Sequence, residues 1–279
     1  MKKILVTGSS GYVGKHLCAL LSKEYHVYGV DTVYSTNNLR GFYQSDIRYL
    51  EDSHLSWNNM PYEYDCIIHL AAKVRVNESV STPTLYYDHN INGTTNILRE
   101  IKTKNFIFAS TGTAENPIVP YSLSKRVCED IVKDMCESRN IKYTIFRFYN
   151  VTGTAGYPAT NPDGLFYNLE QARKTGTFKL YGTDYNTPDG TAIRDYVHIM
   201  EICHAIKKAI ETPANNVENL GHGKGHSVKE IVEQYQLVNN CKFDVISCQR
   251  REGDLECSVL DNVSSYMSDL YTFDELLKV

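Results

Sequence analysis

No stretch of this chain approaches the ~20 consecutive apolar residues that a membrane-spanning helix needs, so no membrane partner is expected. An excess of basic charge is missing too. Lys and Arg number 29 against 33 Asp and Glu, for a formal charge of -4, so the electrostatic footprint of a nucleic-acid or acidic-membrane binder is absent. The eight cysteines form no Cys-x-x-Cys pair, and the nine histidines form no cluster at metal-ligand spacing, so no metal is expected. Cys18, Cys66 and Cys203 sit inside apolar runs, as small hydrophobes do, which suits a reducing cytoplasm. Internal repeats and low-complexity tracts are lacking. Met1-Lys2-Lys3-Ile4-Leu5-Val6 has the charged-then-apolar order of a signal peptide, but only three apolar residues precede Thr7-Gly8. A strand is the expectation there.

What is present fits a globular α/β protein. At 279 residues with 42% hydrophobic content, the chain suits one large α/β unit or a Rossmann domain with a smaller companion. Lys3–Thr7 reads as a buried strand, Val13–Ser22 as a helix and His26–Val30 as a second strand ending at Asp31. Ile67–Leu70, Asn105–Ser110 and Tyr143–Phe148 read as further strands, with helical periodicity over Thr84–Lys102 and Tyr121–Glu137. Strand alternating with helix predicts a doubly wound parallel sheet. Beyond Gly153 the texture turns to Gly, Pro, Thr and Asn, with few periodic runs before Ile199–Ile210. The expected division is a Rossmann domain over 1–150, with about 194–210 packing back on it, and a smaller C-terminal α/β domain over 151–279.

Gly8-x-x-Gly11-x-x-Gly14 follows the first strand and opens the first helix. Glycine there lets the backbone turn tightly and approach a pyrophosphate, whose charge suits a helix N-terminus. Asp31 ends the second strand, where a carboxylate holds ribose hydroxyls and repels a 2′-phosphate, favouring NAD over NADP. The plainer reading is a loop of three structural glycines.

Tyr121-Ser122-Leu123-Ser124-Lys125 places an ammonium four residues after a phenol, on one helix face. A free phenol has a pKa of about 10, and a close cation lowers a neighbouring acid by about 1–3 units, toward useful proton transfer. Thr111, at the C-terminal end of Phe106-Ile107-Phe108-Ala109-Ser110, lies where open α/β sheets bind ligands. Thr111, Tyr121 and Lys125 are the candidate catalytic set; an exposed helix turn without catalytic role is the alternative.

These pieces resemble the extended short-chain dehydrogenase/reductase superfamily, and the rest resembles its UDP-glucose (UDP-galactose) 4-epimerase family. The residues that carry this are Ile68-His69-Leu70-Ala71-Ala72, Glu78-Ser79-Val80, Asn90-Ile91-Asn92-Gly93-Thr94, Arg147-Phe148-Tyr149-Asn150 and the run from Tyr181 to His198. Asn219-Leu220-Gly221 and Arg250-Arg251-Glu252-Gly253-Asp254 complete it. The resemblance implies that Tyr121 takes the proton of a UDP-sugar's 4-hydroxyl while C4 passes hydride to tightly held NAD. The resulting 4-keto sugar turns over and is reduced on its other face. It also implies NAD contacts at Gly8, Gly11, Tyr12, Val13, Gly14, Asp31, Asp46, Ile47, Leu70, Ala71, Ala72, Asn90, Tyr121, Lys125 and Tyr149. On the substrate side it implies Thr111, Asn150, Leu165, Lys179, Leu180, Tyr181, Arg194, Arg251, Asp254 and Ser258. Arginines suit a diphosphate because their planar fork donates two hydrogen bonds at once.

Several positions depart from the family pattern. Thr111 replaces a serine, Val74 stands where a lysine is usual, and Gly164 stands where an asparagine is usual. The segment between Thr111 and Tyr121 is short, and the chain ends before the family's usual final helices. Four residues past Asp254, Ser258 takes the place of a bulky tyrosine found in some members, leaving room for 2-acetamido sugars such as UDP-GlcNAc and UDP-GalNAc. Other enzyme readings are a nucleotide-sugar 4,6-dehydratase or 4-reductase. The first needs an acid pair where Gly112 and Thr113 stand, and the second uses NADPH, which Asp31 disfavours. A non-catalytic NAD- or UDP-sugar-binding protein is the reading from another class. The helical stretches 84–102 and 121–137 resemble those through which the superfamily forms two-fold dimers, so a homodimer is expected.

Overall fold

The computed structural model describes residues 1–34, 39–49, 60–251, 253–268 and 270–278. Two compact units emerge: Met1–Arg147 with Cys203–Glu218, and Phe148–Ile202 with Asn219–Val279. In chain order the elements begin with β1 (Lys3–Thr7), α1 (Tyr12–Leu21), β2 (His26–Asp31), β3 (Gly41–Gln44), β4 (Glu63–Tyr64) and β5 (Cys66–His69). Next come α2 (Val76–Ser81), α3 (Pro83–Tyr86), a π-helical segment Tyr87–Asn92 and α4 (Gly93–Glu100). Then follow β6 (Lys102–Thr103), β7 (Asn105–Thr111), a 3-10 turn Gly112–Ala114, α5 (Pro120–Ser138) and β8 (Lys142–Phe148). The chain continues through β9 (Asn150–Thr152), α6 (Leu165–Thr175), β10 (Thr177–Tyr181), β11 (Ile193–His198), α7 (Ile199–Glu211) and β12 (Asn215–Leu220). It closes with β13 (Gly225–Ser227), α8 (Val228–Val238), β14 (Asp244–Cys248), β15 (Cys257–Ser258) and α9 (Phe273–Leu277).

The first unit is built on a seven-stranded sheet ordered β12-β8-β7-β5-β1-β2-β3. Strand β1 runs parallel to β2 on one side and to β5 on the other, and β2 to β3 and β5 to β7 are parallel as well. Chain order therefore reverses at β1, and in such sheets the ligand crevice lies at the C-terminal strand ends beside that reversal. Cys66, Ile67 and Ile68 of β5, like Ile4, Leu5 and Val6 of β1, are fully buried. That is the unbroken apolar signature of a parallel sheet covered on both faces. This is the doubly wound fold expected from the alternating strands and helices.

One local expectation changes. The single helix over 84–102 is instead α3, a π-helical segment and α4, ending at Glu100. The Thr94 hydroxyl donates to Asn90 O (2.7 Å) and the Thr95 hydroxyl to Ile91 O (2.8 Å). Side-chain donors drawing on carbonyls four residues back bend and loosen a helix, and π-turns of this kind recur at functional sites.

In the second unit, β11 is the centre. It runs parallel to β9 and β15 and antiparallel to β13, so Asn150 pairs with Tyr196, while Arg194 lies opposite both Ser258 and His226. Strands β10 and β14 form a separate parallel pair. Phe166, Leu169, Phe178, Leu180, Tyr196, Ile231 and Tyr235 make the core, with Leu165 packed against it. The Asp195 carboxylate is fully buried and accepts the backbone N–H groups of His222 and Gly223, each at 2.8 Å. This fixes the loop after β12.

Candidate active site

The glycine loop has the shape a phosphate cradle needs. Gly8 has φ +71°, and a Cβ there would lie 2.8 Å from Ala71 N, so only glycine fits. A Cβ on Gly14 would run into Gly8 O and sit 2.8 Å from Ser9 Cα, which is why α1 can press so closely on β1. Gly8 N–H bonds Val30 O at 2.8 Å and closes the turn. Gly11 begins α1 with no side-chain cap, and the first turn, which contains Tyr12 and Val13, holds no acidic residue. The positive end of the helix dipole is therefore not offset by a carboxylate of that turn, which suits an anion. At the end of β2 the Asp31 carboxylate accepts Ser10 N–H and Val33 N–H, each at 3.0 Å, and is thereby oriented beside the loop.

A polar network joins this loop to α5. The Ala71 N–H donates to Thr7 Oγ1 (3.2 Å), and Thr7 Oγ1 lies 2.7 Å from His69 Nδ1. His69 Nε2 lies 3.1 Å from Thr94 Oγ1, whose proton goes to Asn90 O. The only consistent assignment has Nε2 of His69 donating to Thr94 and Nδ1 accepting from Thr7. Burial first, then the charge of Lys125, pushes His69 down to about 3, so the ring is neutral. Asn90 is buried. It accepts Lys73 N–H (2.8 Å) and donates to Lys73 O (3.1 Å) and to Ser124 Oγ (2.9 Å). Ser124 in turn donates to Tyr121 O at 2.7 Å. The Asn90 side chain thus engages segment 70–73 and α5, holding both in place. Asp46 is likewise engaged: burial would raise its carboxyl, but two-pronged hydrogen bonds from Arg48 hold it below the usual carboxylate range. Its neighbour Ile47 is buried in the core.

Tyr121 and Lys125 lie on the first two turns of α5, which Pro120 opens. Thr111, at the end of β7, lies near enough to the Tyr121 side chain to lower its phenol, and its hydroxyl is 3.2 Å from that of Thr113. The three catalytic candidates share one place in the fold. Their electrostatics differ from the sequence expectation. Burial pushes the Tyr121 phenol up to about 12, and the lowering influence on it is the Thr111 hydrogen bond. Burial also pulls Lys125 down to about 8, with its ammonium 4.1 Å from the centre of the Phe108 ring. Lys125 is not among the influences on the phenol, contrary to the sequence expectation; desolvation dominates both groups and disfavours both charged forms.

One turn beyond Lys125, Glu129 is fully buried. It takes a two-pronged bond from Arg147 of β8 (2.9 and 2.8 Å) and another from Ser110 of β7 (2.6 Å). This ties α5 to the sheet under Tyr121 and Lys125. Sequence reading missed Glu129, Ser124 and Tyr86 as site residues. Their four- and three-residue spacing from Lys125 and Tyr121 was visible for the first two, but their partners are far away in the chain.

In the second unit the candidates fall into two groups. Arg194 pairs with Asp254 at 2.6 Å and faces Ser258 across the β11–β15 ladder. Arg251 places its guanidinium 4.1 Å from the Tyr181 ring centre and donates to Asp163 O at 3.0 Å. Lys179 is exposed on β10, Leu180 is buried, and Asn150 donates to Asp195 O at 3.1 Å. Tyr149 N–H bonds Leu220 O at 3.1 Å. Glu252 lies outside the described residues.

The fold is that of a dinucleotide-dependent α/β enzyme. The chain matches the NAD dependent epimerase/dehydratase family over residues 4–221 and belongs to that family. It is 30% identical to the UDP-glucose 4-epimerase of Rhizobium meliloti over 93% of this chain and 88% of the relative. A solved structure of the UDP-glucose 4-epimerase from Bifidobacterium longum, in complex with NAD+ and UDP, superposes with a TM-score of 0.84 at 26% identity, covering 99% of this chain and 96% of that one. The UDP-Glc/GlcNAc 4-epimerase of Campylobacter jejuni superposes with a TM-score of 0.78 at 27% identity, covering 99% and 97%.

Proposed function

We propose that this protein catalyses the NAD-dependent inversion of C4 in a UDP-hexose, interconverting UDP-glucose and UDP-galactose through a transient 4-keto sugar. The observation that carries the proposal is the placing of Thr111 at the C-terminal end of β7, near enough to the Tyr121 phenol to lower it, on a sheet whose first strand leads into a glycine turn with no room for side chains. The cradle fits a dinucleotide: Gly8 and Gly14 leave no space for a side chain, the first turn of α1 carries no acidic residue to repel an anion, and Asp31 is set for ribose hydroxyls. Bound there, NAD would supply the hydride acceptor and donor for C4.

The chain's own residues account for the rest. Tyr121 exchanges a proton with the sugar 4-hydroxyl, and Thr111 bonds the same oxygen and steadies the phenol. Lys125, at about 8, is mostly an ammonium at neutral pH and binds cofactor ribose. Arg194, Arg251 and Asp254 hold the nucleotide diphosphate and ribose, giving a firm grip on UDP and a loose one on the sugar. A 4,6-dehydratase is disfavoured because the turn Gly112–Ala114 carries no carboxylate to drive elimination. Ser258 is small and stands opposite Arg194, which supports acceptance of 2-acetamido sugars. Eight free cysteines fit a cytoplasmic protein, and α4 and α5 are the surfaces proposed for a homodimer, testable by sedimentation at micromolar concentration.

The test is incubation of purified protein with UDP-glucose, UDP-GlcNAc and UDP-glucuronate separately, without added cofactor, followed by chromatographic separation. Interconverted epimers support the proposal, a 4-keto-6-deoxy product points to dehydration, and unchanged substrate refutes catalysis. Tyr121→Phe should lose nearly all turnover while keeping bound NAD. Ser258→Tyr should suppress UDP-GlcNAc epimerisation and spare UDP-glucose.

A further inference from the structure

The Tyr121 phenol needs a fixed direction, because proton transfer depends on reaching one oxygen at hydrogen-bond distance. Its backbone is set by α5, but the ring can still rotate about its side-chain bonds. Thr111 of β7 is near enough to lower the phenol. On another side stands Tyr86, the last residue of α3, whose ring is fully buried. The two rings meet edge to face, with centroids 6.4 Å apart and planes at 80°. That is the arrangement aromatic quadrupoles favour, and it resists rotation of either ring. Tyr86 is itself fixed at its far end, where its hydroxyl donates to Glu78 Oε2 of α2 at 2.8 Å. The chain from Glu78 through Tyr86 to Tyr121 therefore passes from a carboxylate, through a locked ring, to the catalytic phenol.

We propose that Tyr86, anchored by Glu78, is a positioning residue that sets the direction of the Tyr121 phenol. The proposal rests on Tyr121 being the acid–base group. It assigns no contact between Tyr86 and substrate or cofactor; the ring acts only through its neighbour. Two features of the local fold make the device possible. Pro83 starts α3 immediately after α2, which brings Glu78 and Tyr86 within reach. The π-helical segment that follows directly after Tyr86 interrupts the helical register there.

Steady-state and single-turnover rates of the NAD-loaded enzyme provide the test, with bound NAD and the melting temperature measured on each variant. Tyr86→Leu removes the ring and should lower kcat about 10- to 100-fold, the scale of a misplaced catalytic group. KM for the UDP-sugar and NAD content should stay within about twofold. Tyr86→Phe keeps the ring and should recover most of that loss. Glu78→Ala releases the Tyr86 hydroxyl without removing the ring and should lower kcat about 3- to 10-fold, which keeps the proposal testable if Tyr86→Leu does not fold. A ring that merely packs would lower the melting temperature and leave kcat of the folded, NAD-loaded enzyme unchanged. That outcome, or a Tyr86→Phe variant as slow as Tyr86→Leu, overturns the proposal. A Tyr121→Phe enzyme with wild-type turnover would instead overturn the acid–base reading beneath it.

Discussion

Replacing Glu129 by leucine removes a carboxylate that three donors share inside the first unit. Arg147, with a side chain only 9% exposed, keeps Glu115 at 3.5 Å, but that carboxylate is 56% exposed and well screened. Breaking a buried pair from one side costs about 3–5 kcal/mol, and the lost acceptor for the buried Ser110 hydroxyl adds about 1 kcal/mol. A domain of this size shifts its melting temperature by about 2–4 °C per kcal/mol, so Glu129→Leu should melt roughly 8–24 °C lower. Arg147→Met in the same chain removes the guanidinium left without Glu129 and should restore more than half of that loss, because buried pairs are often replaceable by apolar side chains of like volume. Circular dichroism melts of the wild type, the single and the double variant make the comparison. A single variant melting within a degree or two of wild type would refute the reasoning. So would a double variant no more stable than the single. The same substitution removes a charge that raises Lys125, so the lysine should titrate lower still.

Two further outcomes follow from the geometry. His69 titrates near 3 in the folded chain and near 6.5 unfolded, so the unfolded state binds the extra proton between those values. Its stabilising contribution is complete above about pH 6.5 and falls as pH drops toward 3. Urea unfolding of wild type should lose about 2 kcal/mol more between pH 7 and pH 5 than His69→Gln does, and equal losses would contradict the neutral buried ring. Gly14→Ala would drive a Cβ into Gly8 O and against Ser9. It should abolish co-purifying NAD, measured by its release on denaturation, whereas Gly11→Ala, with its nearest contact at 3.2 Å, should retain part of it.

Much of the fold was legible because its signals are local. The apolar run of β1, the glycines after it and the carboxylate at the end of β2 lie within Lys3–Asp31. They describe a strand, a turn and a helix without reference to the rest of the chain. The helix over 84–102 was read too simply, since hydroxyls of Thr94 and Thr95 bonding back to carbonyls leave no mark on hydrophobic periodicity. Among site residues, Tyr121 and Lys125 were readable as a spacing, and Thr111 as a strand end. Around Asn90, read as a cofactor contact, the partners Lys73 and Ser124 were not legible, because only folding brings them to it.

By itself, the sequence determined the main alternation of strands and helices in the first unit, the glycine turn after β1 and the spacing of a phenol and an amine on one helix. These depend on backbone conformation and on spacings of a few residues. Tertiary structure alone decided how those groups behave. The phenol is pushed up and the amine down because water is excluded by elements from across the first unit. Desolvation sums over every neighbour in space, and no short spacing encodes it. The edge of Tyr86 against Tyr121 and the clasp of Glu129 on Arg147 are of the same kind, contacts that exist only once distant segments have packed.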